Sequence, residues 1–366
     1  MDASYVTLSN LRPGIIISED VFVNTANPII KKNTKITAEH IEVLRAFGIR
    51  EVKVEDLVVK KEELQVNGSA TTVDADDILA EHELEKVDFE IEYNESVKRY
   101  KKEFMSWRSG TRPDITIVRS IVIPLLERYR EHKNLINLLG DYSDTENYKY
   151  HHSISVGIIA SAICKQMGFP SGQAIQLGVA GVLADCGMAK INEVITEKTA
   201  FLSKEEYNEV KKHVLYSYQM VQETPLLRPE MKQAIIEHHE RLDGSGYPRG
   251  IKSEQISVYS QILAVADVFH AMISERIYRS KESPFKVVEM IKEEEFGKFN
   301  IKVVQALHDL VCKLSIGTNV ELTNGEKGEV IFVHRDAGLR PTVKMKADES
   351  ILDLTTNRHL SIQRVL

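Results

Sequence analysis

Hydrophobic and polar positions change their period twice along the chain. Through residues 1–60, short β-prone pieces (Tyr5–Leu8, Ile15–Ser18, Val21–Asn24) surround a Pro13-Gly14 turn signal. Thr37 is a plausible N-cap for a helix with Ile41, Leu44 and Phe47 on one face, stopped by Gly48, and a strand Glu51–Val54 follows. From about residue 96 to 314 the pattern is helical. Ile115, Val118, Ile121, Leu125, Leu126 and Tyr129 recur at helical spacing, with Pro124 set to bend or divide that helix. Ser203-Lys-Glu-Glu206 reads as a capping box for a helix containing His213, and Val303, Leu307, Leu310 and Leu314 form the apolar face of a last helix before Gly317. The period then drops to two over Val320–Leu322, Glu329–Val333 and Thr342–Met345, with Asn324-Gly325 as a hairpin turn. The expected architecture is mainly α: a small α/β unit (1–60), an acidic linker (61–95), a helical domain (96–315) and a small β domain (316–366).

Composition narrows this only a little. The formal charge of −7 is concentrated between Asp74 and Glu95, where ten acids stand beside Lys86 alone. That stretch carries −9, so the remainder is near neutral and offers a phosphate ligand no general repulsion. The acidic stretch itself reads as a solvent-facing linker or helix face. No basic tract or aromatic ladder suggests a nucleic-acid polymer as partner. The best apolar run, Ile154 to Cys164, is too short for a membrane span and contains two serines, and the start MDASYVTLSN has no signal core. Cys164, Cys186 and Cys312 form no CxxC, which fits a reducing cytoplasm.

Histidine carries the chemical information. His40, His82, His132, His308, His334 and His359 stand alone and read as surface or satisfied histidines. His151-His152, His213, His238-His239 and His270 concentrate in the helical region, with Asp185 and Asp267 in strongly apolar surroundings. Alone, either acid could pair with an arginine or cap a helix. Beside several imidazoles, they make the donor set of a divalent metal site, with nitrogen for affinity and carboxylate to bridge and neutralise. In His238-His-Glu-Arg-Leu-Asp-Gly-Ser-Gly-Tyr-Pro-Arg-Gly250, adjacent histidines can share a site only near a helix end, and the Gly-rich loop provides one.

With Tyr148…His152-Ser153, Asp185-Cys-Gly187, Lys212-His213 and ADVFHAMISERIYR, this string resembles the HD-GYP proteins of the HD phosphohydrolase superfamily over about residues 145–310. The resemblance implies an HD-type helical fold, two or three metals (often iron or manganese) and hydrolysis of cyclic di-GMP to pGpG and GMP. It implies metal ligands at His152, Asp185, His213, His238, His239 and Asp267, with Asp185 bridging and catalytic. Tyr247, Arg276 and Arg279 would hold substrate, with Gly244 and Gly246 beside them, and Lys190 or Arg276 would neutralise phosphate oxygens. Tyr148 stands where trinuclear members have Glu, which favours two metals at most.

Three positions depart from the family pattern. Ala184 replaces the histidine of the HD dyad, Met188 stands where a lysine is usual with Lys190 as substitute, and His270 replaces an Asp. The first weakens one of two expected metal sites; His270 could partly replace the lost ligand or hydrogen-bond a ligand from behind. Beside the phosphodiesterase reading therefore stand a cyclic di-GMP-binding module without turnover and a phosphatase or nuclease for another nucleotide. A homodimer or a signalling protein is the expected partner.

Overall fold

The computed structural model describes residues 3–7, 15–22, 28, 30–32, 34–37, 40–41, 44, 49, 51–55, 75–131, 133–276, 280–293, 297–334 and 337–366. The chain forms two compact units, Met1–Thr72 and Val73–Leu366. In the first, β1 (Ala3–Thr7) pairs antiparallel with β2 (Glu51–Glu55), with Ala3 opposite Glu55. Ile17, Val21, Ile30, Ile36, Leu44, Val52 and Val54 make its core. The expected N-cap is present, since the His40 amide donates to Thr37 Oγ1 at 3.3 Å. Phe47, Gly48 and the Pro13-Gly14 turn lie outside the described residues.

The second unit opens with α1 (Ala75–Arg108), followed by α2 (Ile115–Glu131), α3 (Tyr148–Gln166) and α4 (Ser171–Leu183). Much of the acidic stretch is thus helix, and α1 runs through the 95/96 boundary expected from charge. The reason is packing. Phe89, Tyr93, Val97, Tyr100, Phe104 and Trp107 recur along one buried face, while Asp88, Glu90 and Glu95 are exposed. Tyr93 Oη lies 2.8 Å from Ser155 Oγ, and Tyr100 Oη donates to the Val182 carbonyl at 3.0 Å, so α1 grips α3 and α4. Pro124 sits inside α2, which continues past it to Glu131.

The long apolar run lies in α3, whose residues from Tyr150 to Ala160 are all buried. It is the central helix of the unit, and among the described residues no helix is long and apolar enough to cross a membrane. α3 crosses α4 closely: a Cβ on Gly181 would lie 2.9 Å from the Gly157 Cα. Around this pair stand α5 (Lys204–Lys211), α6 (His213–Val221), α7 (Pro229–Glu237), α8 (Val258–Ile273), α9 (Pro284–Glu293) and α10 (Ile301–Val311). The Ser203–Glu206 capping box forms as expected, but it opens α5, which ends before His213. His213 instead begins α6. Leu314 falls beyond α10.

The C-terminal strands β3 (Asn319–Leu322), β4 (Lys327–Phe332), β5 (Thr342–Met345), β6 (Ile351–Asp353) and β7 (Ile362–Val365) form an antiparallel sheet of order β6-β5-β4-β3-β7. Val320, Val330, Val343 and Ile362 join the same hydrophobic cluster as the helices. Ser283 Oγ donates to the Ile362 carbonyl at 2.7 Å, and Arg340 grips Glu289 of α9. The sheet expected as a separate β domain is therefore fastened to the helical core.

Candidate metal centre

Five segments deliver the expected ligands to one place. His152 projects from the second turn of α3, and Asp267 from α8. Asp185 follows Ala184 at the break between α4 and the 3-10 helix Cys186–Lys190. That turn lies so close to α6 that a Cβ on Gly187 would stand 2.2 Å from the His213 carbonyl oxygen, while the Gly187 amide donates to Ser217 Oγ at 2.8 Å. His238 is the C-cap of α7 and His239 the next residue, so the helix end turns both rings to one side, with centroids 4.0 Å apart.

The donor atoms fall into two groups that share Asp185. Asp185, His213, His238 and His239 place one donor each within 4.8 Å of one another, and so do His152, Asp185 and Asp267. Asp185 Oδ1 is 3.1 Å from His213 Nε2 and 3.5 Å from His238 Nε2, while its Oδ2 is 3.7 Å from His152 Nε2. His152 Nε2 also lies 3.0 Å from Asp267 Oδ1, and His239 Nδ1 is 3.6 Å from Asp267 Oδ2. Despite these short separations, Asp185 Oδ1, His213 Nε2 and His238 Nε2 are buried without a hydrogen-bond partner. Buried polar atoms left this way are costly. Three of them converging is what a divalent cation would satisfy, and the nitrogen and carboxylate donors suit a borderline ion.

The far side of each ring fixes which nitrogen faces inward. His213 Nδ1 donates to the Val210 carbonyl and His238 Nδ1 to the Ile235 carbonyl, both at 2.7 Å. A carbonyl only accepts, so each Nδ1 carries a proton and each Nε2 is the nitrogen turned to the centre. Burial raises the Asp185 carboxyl, but His213 and His238 outweigh it and hold the group well below the usual carboxylate range. Burial likewise works against ionised Asp267, and the neighbouring His239 and His152 reverse it, leaving its pKa low. His239 is pushed well down, first by burial and then by its neighbour His238. His238 goes the other way: burial lowers it, but Asp185 raises it further. The carboxylates are thus charged, as ligands must be.

Behind His152 lies a second layer. His152 Nδ1 is 3.0 Å from His270 Nδ1 and 3.1 Å from Tyr148 Oη, and the Tyr148 ring stacks on His152. His270 is in turn 3.2 Å from Ser274 Oγ, and burial followed by its neighbours His152 and Arg276 lowers its pKa well below the usual value. His270 is outside both donor groups and meets His152 on its Nδ1 side, an arrangement that fits the supporting role of the two expected for it. The Arg276 guanidinium donates to Tyr148 Oη and covers the Tyr148 ring at 4.4 Å. Its Nε is buried without a partner.

The Gly-rich loop folds onto the end of α7. Tyr247 stacks on His239, centroids 4.7 Å apart, and its amide donates to the His239 carbonyl at 3.1 Å. Gly246 permits this approach, because a Cβ there would lie 2.4 Å from the His239 carbonyl oxygen. Two buried acids that sequence reasoning passed over secure the loop. Glu240 accepts from the amides of Arg249 and Ile251 at 2.7 and 3.1 Å, and Glu237 accepts from the Arg249 side chain and from Ser260 Oγ. Their signal was faint: two acids beside the histidine pair, in a stretch otherwise read for ligands.

Among the described residues, one expected site residue does not join the centre. Lys190 is exposed and its ammonium donates to the Trp107 carbonyl at 3.3 Å, since the 3-10 helix carries it toward the end of α1. Arg279 lies outside the described residues. Gly244, with φ of +83°, serves the loop's turn.

Residues 133–300 match the family model described as HD domain. This matched part, somewhat under half of the chain, is the part that carries the motif strings, and it is similar to an HD domain. A cyclic di-GMP phosphodiesterase of Pseudomonas aeruginosa is 28% identical over 242 residues, which are 66% of this chain and 58% of the relative. One from Thermotoga maritima is 30% identical over 231 residues, 62% of this chain and 59% of the relative. A 3'3'-cGAMP-specific phosphodiesterase of Vibrio cholerae is 30% identical over 172 residues, 47% and 37% of the two chains. The chain spans about three fifths of the length of the first two relatives.

Proposed function

We propose that the protein is a metal-dependent phosphodiesterase for a cyclic dinucleotide, cyclic di-GMP first among them. The observation that carries this reading is Asp185 shared between two donor groups, with Asp185 Oδ1, His213 Nε2 and His238 Nε2 buried and unsatisfied. His213, His238, His239 and Asp185 would hold one divalent ion and His152, Asp185 and Asp267 a second, iron or manganese by donor type. A metal pair held there would supply Lewis acidity toward the phosphate oxygens and would acidify bound water. The chain's own residues do the rest. Asp185 positions both halves of the centre, Tyr247 walls one side against His239, and Arg276 supplies a planar cation suited to phosphate oxygens. A cytoplasmic location fits the three free cysteines, two of them buried.

The second reading is a binding module that retains the ligand without turnover. Ala184, buried at 3% exposure beside Asp185, favours it, because the second donor group then holds one imidazole. One experiment separates the two. Metal content is measured on the purified protein, and cyclic di-GMP and 3'3'-cGAMP digests are then resolved by chromatography. Metal with pGpG or GMP supports the enzyme. Retention of intact ligand without product supports the module, and neither metal nor binding removes both.

A further inference from the structure

Tyr207 and Lys211 lie four residues apart in α5, on one helix face. The Lys211 ammonium is 4.7 Å from the Tyr207 ring centroid and 5.6 Å from that of Tyr247. Tyr247 in turn stacks on the ligand His239. An aromatic path thus leads from the centre, His239 to Tyr247 to Tyr207, with one cation set between the outer two rings. The neighbouring lysines are neutralised: Lys212 pairs with Glu209 and Lys198 with Glu206, both at 2.6 Å. Among the described residues, no carboxylate pairs with Lys211, which is half-buried, while Tyr207 is 48% exposed. A partly desolvated cation without an anion, beside an open ring, matches the two faces of a nucleotide: phosphate for the ammonium, base for the ring.

We infer that Lys211 and Tyr207 form a nucleotide subsite beside the metal centre, taking a phosphate on the ammonium and a stacked base on the Tyr207 ring. The subsite deepens the phosphodiesterase reading and rests on it for the identity of the nucleotide. It adds to Arg276 a contact on the opposite, His239 side of the centre, and so bears on which cyclic dinucleotide is accepted.

The test is calorimetric titration with GMP, which is not consumed, together with steady-state turnover of cyclic di-GMP. Lys211→Met, which keeps the alkyl stem, and Tyr207→Ala each weaken GMP binding about tenfold, the scale of one charge-assisted contact or one stacked base. Lys211→Arg and Tyr207→Phe retain parental binding, because charge and ring survive; a merely packing role would not sort the four variants this way. Parental GMP affinity in Lys211→Met and Tyr207→Ala overturns the subsite, even where the parent cleaves cyclic di-GMP. A parent that binds no nucleotide overturns it as well. If the parent leaves cyclic di-GMP intact and the four variants still sort as expected for GMP, the subsite holds and the phosphodiesterase reading falls.

Discussion

Gly187→Ala tests whether the centre depends on the close contact between the 3-10 helix and α6. The added Cβ would lie 2.2 Å from the His213 carbonyl oxygen, 2.4 Å from the Ser217 amide nitrogen and 2.8 Å from Ser217 Oγ. Two of these are backbone atoms, so relief requires the 3-10 helix and α6 to separate by roughly 1 Å to reach an ordinary contact near 3.4 Å. Overpacking of this kind costs about 1–3 kcal/mol. The strained Gly187–Ser217 hydrogen bond adds about 1 kcal/mol. For a unit of this size, the sum lowers the melting temperature by roughly 4–12 °C. The separation also moves Asp185, two residues away, from His213, so metal retention falls along with stability. The control is Gly172→Ala, where a Cβ meets nothing within 4 Å. Thermal unfolding and elemental analysis are run on both variants after loading with manganese. A Gly187→Ala protein that melts and holds metal like the parent would refute the argument that this glycine sets the approach of Asp185 to His213.

Four further outcomes follow from the same geometry. Asp185→Asn lowers metal content in both halves and His152→Ala in one, so the former retains less by elemental analysis; the reverse order contradicts the shared role. Glu240→Ala removes the acceptor of two loop amides, costs about 1.5–3 kcal/mol for the charged acceptor, and exposes residues 241–250 to limited proteolysis, whereas unchanged protection would show the loop held by other contacts. Asp144 is held below its usual pKa, since its partial burial is outweighed by Asn147 and His151; a depressed carboxylate stabilises above its unfolded pKa of about 3.9 and loses that contribution as pH falls through the folded value. The melting difference between parent and Asp144→Asn, measured on metal-stripped protein, should be full at pH 5 and above and vanish in stronger acid; a constant difference refutes it. Ala184→His restores an imidazole beside Asp185 and should raise both metal per chain and cyclic di-GMP turnover, and a gain in neither counts against the enzyme reading.

Ligand types were more legible in the sequence than the chemistry that supports them. The residues alone gathered Asp185 and Asp267 with His151-His152, His213, His238-His239 and His270, because a carboxylate in an apolar segment needs a partner; the set of six came from the resemblance, and the donor atoms of those six lie in two groups that share Asp185. Helix-end geometry correctly placed the His238-His239 pair, which caps α7. Charge misled where packing decided. The acids before residue 95 concealed Phe89 and Tyr93, whose burial makes the segment part of α1. Period-two patterning located the C-terminal strands but carried no information about the core they share with the helices. Lys190 failed for a related reason: a sequence offset fixes neither the direction of a 3-10 helix nor the carbonyl its ammonium meets.

The two donor groups are unequal, and the inequality lies in their outer partners as much as in Ala184. In the group of three imidazoles, His213 and His238 each have Nδ1 fixed by a backbone carbonyl, which cannot change its role. The orientation of Nε2 there is built into the ends of α5 and α7. In the other group the single imidazole, His152, leans on Tyr148 and His270, both of which can donate or accept. Tyr148 is also the group that Arg276 holds. A phosphate drawing Arg276 away from Tyr148 would therefore change the hydrogen bonding of His152, whereas the Nδ1 atoms of His213 and His238 rest on backbone carbonyls. The half of the centre that lost its histidine is thus the half whose remaining ligand is coupled to the proposed substrate arginine, so metal retention there and substrate binding should be linked.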